Sequence, residues 1–301
     1  MGHAFSEYPE GVIHFKTFPY HGDGYLIDEL QLYQDHCIHI REFDIIHDFS
    51  HQHLIARYNP NLPTLNIFWH APCVAQYRKA PYNIQALSEW AVSEWKRFYD
   101  YPALYHQSII IDTRKYKPSN EKRSDRFLAI GRFGAEKGHH NAINLCKMAN
   151  VPLDIIAAIG TEGDDPQTKA YEQAILKECD GEQIRMLGDV SEVEKIRCMQ
   201  TCRALIYATN HPEVTSHKIQ ECMLSGAPVI VPYLGALPEI VTQGVDGFLC
   251  RTGEEYLEAI KKVDELHPEI SLDALRLKYS VENVMANTIP LYQKIKSGFR
   301  W

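Results

Sequence analysis

The chain has 301 residues, 45% of them apolar, enough for one large or two modest hydrophobic cores. Its 31 basic and 39 acidic side chains give a formal net charge of -8, which excludes a general nucleic-acid binder because neutralising phosphates needs a basic surface. No apolar run approaches a bilayer span, and MGHAFSEYPEG lacks the basic head and apolar stretch of a secretory signal.

The eight cysteines, at 37, 73, 146, 179, 198, 202, 222 and 250, form no Cys-x-x-Cys pair. Reduced, mostly buried thiols in a cytoplasmic protein are expected. In the first third, EFDIIHDFS (42–50) and TLNIFWHAP (64–72) carry buried-strand signatures. NIQALSEWAVSEWKRFYD (83–100) predicts a helix with one aromatic and aliphatic face. His47, His51 and His53 crowd together, but convergence of His47 and His51 on a metal needs a helix where the pattern reads as strand into loop. With neither HExxH nor a cysteine partner, no metal site is expected. The segment 105–126 turns from apolar to charged, so the predicted domains are 1–118, 119–280 and a closing helix over 281–301.

From residue 126 the pattern alternates. Strands are predicted at RFLAIG (126–131), LDIIAAIG (153–160), QIRMLG (183–188), ALIYAT (204–209) and PVIVP (228–232). Helices are predicted at 140–150, 167–179, 191–202 with a Ser191 cap, and 216–224. This alternation predicts an α/β fold with a parallel, doubly wound sheet. The acidic TEGDDPQ (161–167) reads as a solvated loop, and Pro290 is expected to kink or break the last helix, 281–299.

Two constellations carry chemistry. Glu213 follows Pro212 at the end of the ALIYAT strand, and Glu221, separated from it by seven residues, lies in a short helix that Gly226 stops. The first carboxylate thus falls at a loop mouth, where open α/β sheets bind ligands. In GRFGAEKGHH (131–140), Gly131 ends a strand and Gly138 opens into a helix. Arg132 can clamp two phosphate oxygens, and Lys137 adds a mobile point charge, solvated while the site is empty. The bland alternatives are a solvated strand–helix loop and a Glu221 that merely caps or solvates a helix face.

Glu213 to Glu221, then CMLSGAPVIV and GALPEIV, resembles the donor site of the GT-B retaining glycosyltransferases of group 1, the glycogen synthase-like family. GRFGAEKG resembles that family's second motif. Thr215-Ser216 stands where the family has Phe-Gly, and the opening GVIHFKTFPYHGDGYLIDE (11–29) shows no strand with a Gly-Gly turn, so the N-terminal lobe reads as truncated or divergent. The resemblance implies two Rossmann-like lobes with a cleft between them, and transfer of a sugar from a nucleoside diphosphate sugar, of UDP or GDP, to an acceptor hydroxyl. It implies retention of configuration without a metal, and no cofactor besides the donor. The acceptor is a carbohydrate, a lipid-linked molecule or a small molecule; nothing in the sequence supports membrane association.

By the same resemblance Arg132 and Lys137 grip the diphosphate, Glu213 holds the sugar and Glu221 the ribose. His70 sits near the donor sugar as a catalytic residue, its structural rival being a histidine bonded to backbone. Gly131, Ser216, His217 and Lys218 complete the donor-binding set, with amides of the helix beginning near Ser216 aimed at the loop. Glu239 matches a position near the donor loop, and His47 with Asp48 could line the acceptor side. Rival readings are a sugar-nucleotide epimerase and a non-catalytic nucleotide-sugar-binding scaffold.

Overall fold

The computed structural model describes residues 43–49, 53–68, 83–99, 103–105, 109–160 and 165–301. The opening segment 11–29, His51, His70 and residues 161–164 lie outside them. The chain divides into two compact units, one built from the described residues up to Ile110 with Tyr279–Trp301, the other from Ile111–Lys278.

The first unit holds a parallel sheet of β1 (Ile46–Asp48), β2 (Thr64–Ile67), β3 (Ile84–Ala86) and β4 (Ala103–Tyr105), in that order. Helices α1 (Leu54–Tyr58) and α2 (Glu89–Tyr99) follow β1 and β3. The helix expected over 83–100 therefore starts later. Ile84, Gln85 and Ala86 are fully buried and paired on both sides, with β2 and β4. A short run buried on both faces has no period of its own and reads as a continuation of the helix behind it. The switch comes at Ser88, whose Oγ accepts the Ala91 amide at 3.2 Å. On α2, Trp95 is fully buried and meets the Phe68 ring edge-on, centroids 4.6 Å apart.

The closing helix, α9 (Val281–Lys296), is not broken at Pro290. Pro290 and Ala286, whose carbonyl loses its helical donor there, are both exposed, which leaves that oxygen on the solvent side where its loss costs least. The opposite face packs Leu291, Tyr292 and Ile295 on Leu65 of β2. Trp301 closes the chain, its indole donating to the Ile84 carbonyl at 2.9 Å.

The second unit contains β5 (Phe127–Ile130), β6 (Leu153–Ile156), β7 (Ile184–Gly188), β8 (Leu205–Ile206), β9 (Val229–Pro232) and β10 (Gly247–Cys250). All pairings are parallel and the order is β10-β9-β8-β5-β6-β7. Starting from β5 the chain winds out to β7, then returns to place β8 on the other side of β5. This is the order of doubly wound dinucleotide-binding sheets, and the gap between β5 and β8 is its topological switch point. Between strands run α3 (His139–Ala149), α4 (Pro166–Lys177), α5 (Glu192–Thr201) and α6 (His217–Leu224); α7 (Gly253–Lys262) follows β10, and α8 (Leu272–Tyr279) leads into α9. Local sequence sets the starts: Asp165 accepts the Thr168 amide at 2.8 Å, Ser191 the Glu194 amide at 3.2 Å, and Thr252 the Glu255 amide at 3.3 Å. The last residue of the acidic pair in TEGDDPQ is thus a helix cap. Phe127, Phe133, Ile143, Leu153, Ile155, Ile206 and Ile230 form the buried centre between sheet and helices. Among the described residues no helix is long and apolar enough to cross a membrane.

Candidate active site

The chemistry-bearing residues of the second unit gather at the switch point. After β5 the chain makes a 3-10 turn, Ala135–Lys137, and after β8 it runs through Thr209 to Glu213. The two loops are locked together. Thr209 Oγ1 donates to the Glu136 carbonyl, and Asn141 Nδ2 donates to the Ala208 carbonyl at 2.9 Å. Gly138 has φ 72°, and a Cβ there would stand 2.2 Å from the Ala208 carbonyl oxygen. No side chain fits so close an approach of two backbones.

Across this junction Lys137 Nζ donates to Glu213 Oε1 at 2.7 Å, with the two side chains 20% and 15% exposed. The expectation that Lys137 is solvated in the empty site is therefore corrected: the turn points it at a carboxylate, and the pair is largely out of water. Tyr207, directly after β8, donates its hydroxyl to the same oxygen of Glu213. Burial first, then the Glu213 charge, pushes the loss of the Tyr207 proton well above its usual range. The hydroxyl is therefore a permanent donor. The Glu213 backbone is held as well, since its carbonyl accepts the Ala236 amide at 2.8 Å. Gly235, at φ 58°, would bring a Cβ to 2.5 Å from that carbonyl.

Helix α6 begins beside this pair. Its N-cap is Ser216, buried and with no side-chain cap bond, and its first turn carries no acidic residue. His217 and Lys218 stand there instead, against the positive end of the helix dipole. Burial lowers the pKa of both. For Lys218 the like charges of Lys137 and Arg132 add to the shift, while Glu213 and Glu221 oppose it. Lys218 thus sits within reach of the fields of all four charged residues singled out from the sequence.

Glu221, one turn further along α6, is raised in pKa by burial. Lys195 Nζ lies 3.7 Å from its Oε2 and donates to the Tyr116 hydroxyl at 3.4 Å. Each acid therefore has a lysine beside it, and Glu213 alone is bonded by a tyrosine as well. Glu221 is neither a cap nor a solvated face residue.

Arg132 reaches back to Glu136 Oε1 and is half exposed, so it does not join the Lys137–Glu213 pair directly. Its turn is pinned from below. The buried His139 ring places Nε2 3.3 Å from both the Gly131 and Arg132 carbonyls, so Nε2 carries the hydrogen. Burial holds the His139 pKa down at about 4. Glu239 lies in the 3-10 turn Leu237–Glu239. In the first unit His47 is bonded to the Tyr292 hydroxyl at 2.7 Å and to Gln85 Oε1 at 3.2 Å, and His53 Nδ1 lies 3.7 Å from Asp48. Among the described residues no three His, Cys, Asp or Glu converge as metal ligands.

Tyr207, Tyr116, Lys195 and His139 were not singled out from the sequence. A tyrosine ending an apolar strand and a histidine opening a helix look like core, and Lys195 looks like a solvated helix face. For Tyr207 and His139 the only advance signal is proximity in sequence to the two motifs; Tyr116 and Lys195 carry none.

A doubly wound sheet with a cation–carboxylate pair at its switch point and a basic helix N-terminus is an arrangement suited to an anionic ligand. The model of the glycosyl transferases group 1 family matches residues 111–271, and the chain belongs to that family; it is a glycosyltransferase. No curated protein matches its sequence. Solved structures match across most of the chain. Sucrose-phosphate synthase from Thermosynechococcus elongatus superposes with TM-score 0.73 at 13% identity, covering 91% of this chain and 79% of that one. Anabaena HepE, in complex with UDP and glucose, gives 0.71 at 16%, covering 92% and 84%. A glycosyltransferase from Rickettsia africae ESF-5 gives 0.70 at 14%, covering 94% and 85%. The likeness is one of fold, the two-lobed GT-B architecture of parallel α/β sheets.

Proposed function

We propose that the second unit binds a nucleoside diphosphate sugar and that the enzyme transfers its sugar to an acceptor hydroxyl with retained configuration and without a metal. The observation that carries this reading is the Lys137–Glu213 pair at the switch point, with the buried Lys218 beside it at a helix start that lacks any acid. Crowded cations at a positive helix end are relieved by an anion of two or more charges. A diphosphate has that charge, and the two carboxylates nearby suit the hydroxyls attached at its two ends.

In the reaction the bond from the anomeric carbon to the diphosphate oxygen breaks and negative charge grows on the departing diphosphate. Lys137, Lys218 and Arg132, with the amides of Ser216 and His217, stabilise it in the place a metal takes in other designs. Glu213 binds sugar hydroxyls and Glu221 the ribose. The acceptor oxygen bonds the anomeric carbon and its proton passes to the departing diphosphate oxygen. No cofactor besides the donor is needed. The HepE complex supports UDP as the nucleotide, GDP being the other candidate, and a carbohydrate is the favoured acceptor class.

Calorimetry with UDP and GDP in chelating buffer is the test. One of them binds the wild type, and Lys137→Ala weakens it by about 10- to 100-fold, the worth of one charge-assisted hydrogen bond. Equal affinities of the two proteins, or binding that requires an added divalent cation, would contradict the reading.

A further inference from the structure

Glu213 receives two donors on one oxygen. Lys137 Nζ and the Tyr207 hydroxyl both bond Oε1, and among the described residues no donor is bonded to Oε2. The two donors differ in what holds them. Lys137 ends a flexible four-carbon stem on a 3-10 turn and lies in the field of Lys218. Tyr207 is a rigid ring, 6% exposed. Its amide bonds the Ile230 carbonyl of β9 at 2.9 Å, and its own carbonyl accepts the Tyr256 hydroxyl of α7 at 3.2 Å. A diphosphate arriving beside Lys137 offers that ammonium a stronger partner than one carboxylate oxygen. Tyr207 has nowhere to move.

We propose that Tyr207 is a positioning residue for recognition of the donor sugar: its hydroxyl keeps Glu213 fixed through Oε1, with Oε2 free for the sugar's hydroxyls, once Lys137 has moved to the diphosphate. This rests on the nucleotide-sugar reading above. Lys137 is the exchangeable partner of Glu213 and Tyr207 the permanent one. The sugar is therefore gripped by a carboxylate whose orientation does not depend on the cation that serves the leaving group. A bonded Oε1 also leaves the carboxylate a one-sided acceptor, so it favours a sugar presenting hydroxyls toward a single oxygen.

The test is a titration series with UDP, UDP-glucose, UDP-N-acetylglucosamine, GDP and GDP-mannose, on wild type, Tyr207→Phe and Lys137→Ala. The proposal predicts that Tyr207→Phe keeps the affinity for the free nucleoside diphosphate within about twofold and loses about tenfold for the matching sugar nucleotide, one hydrogen bond to a charged group. Lys137→Ala loses affinity for both. A merely structural role for Tyr207 would weaken both ligands alike, and an idle one would weaken neither; either result overturns the proposal while leaving the donor-site reading intact. A wild type that binds none of the five ligands overturns that reading, and the proposal with it. Should Tyr207→Phe fail to melt cooperatively, the wild-type crystal structure with its bound sugar nucleotide decides. Tyr207 still bonded to Glu213, with Lys137 Nζ on the diphosphate, is the expected result; Tyr207 turned away from Glu213 refutes it.

Discussion

Lys137 and Glu213 hold each other while the site is empty, so Lys137→Ala touches stability as well as binding. The substitution leaves a largely buried carboxylate with Tyr207 as its remaining donor, and a loss of about 1–2 kcal/mol is expected in urea unfolding. That is smaller than the removal of a cation from a fully dry pair, because water and Tyr207 both compensate. His139 supplies a pH signature from the same turn. It stays neutral in the folded protein down to about pH 4, whereas the unfolded chain takes up the proton near its ordinary 6.5. Stability therefore falls as pH drops from about 6.5 to 4, by roughly 3 kcal/mol. His139→Gln, which keeps a donor toward the Gly131 and Arg132 carbonyls, is expected to flatten that window; an unchanged slope would place the titration elsewhere. At this scale the charged residues were legible because charge next to a glycine turn or a strand end has few structural uses. What the sequence hid is who holds them. Lys137 pairs with a residue 76 positions away, and only the fold brings the two loops together.

Elements decide where those residues point. Helix α6 carries Lys218 and Glu221 one turn apart and begins without an acid, an arrangement that disfavours the isolated helix. Its cost is tolerated because Ile219, Cys222, Met223 and Leu224 bury the other face. Helix α9 shows a second local conflict. Pro290 sits inside it, exposed, and forfeits one backbone bond. Pro290→Ala restores that bond and is expected to raise stability by about 1–3 kcal/mol, read as a higher melting temperature; a lower one would mean that the ring packs in a way its exposure does not suggest. The βα alternation from β5 to β9 was readable because each strand is a compact apolar run closed by Gly, Thr or Pro. The start of α2 was not, because Ile84-Gln85-Ala86 continues the helix's apolar rhythm while being paired on both sides. The break expected at Pro290 failed for the converse reason: tertiary packing of Leu291, Tyr292 and Ile295 outweighs one lost hydrogen bond.

At the scale of the molecule, both units are parallel α/β sheets, and the family match, 111–271, falls wholly inside the second unit, 111–278. The net charge of -8 says nothing of this site. An acidic protein here concentrates Arg132, Lys137 and Lys218 beyond the carboxyl ends of two central strands of one sheet, and it is that local field an anionic donor meets. Fold class was legible from the alternation of elements, and the family from two motifs on neighbouring strands. The strand order that makes them neighbours was not, since nothing in the spacing of the strands states that β8 returns to lie against β5. The most direct measurement is the crystal structure of the protein with its bound nucleoside diphosphate. The account predicts the diphosphate against Lys137, Lys218 and the first amides of α6, with the ribose on Glu221. A nucleotide bound elsewhere, with the Lys137–Glu213 pair undisturbed and α6 unoccupied, would contradict it.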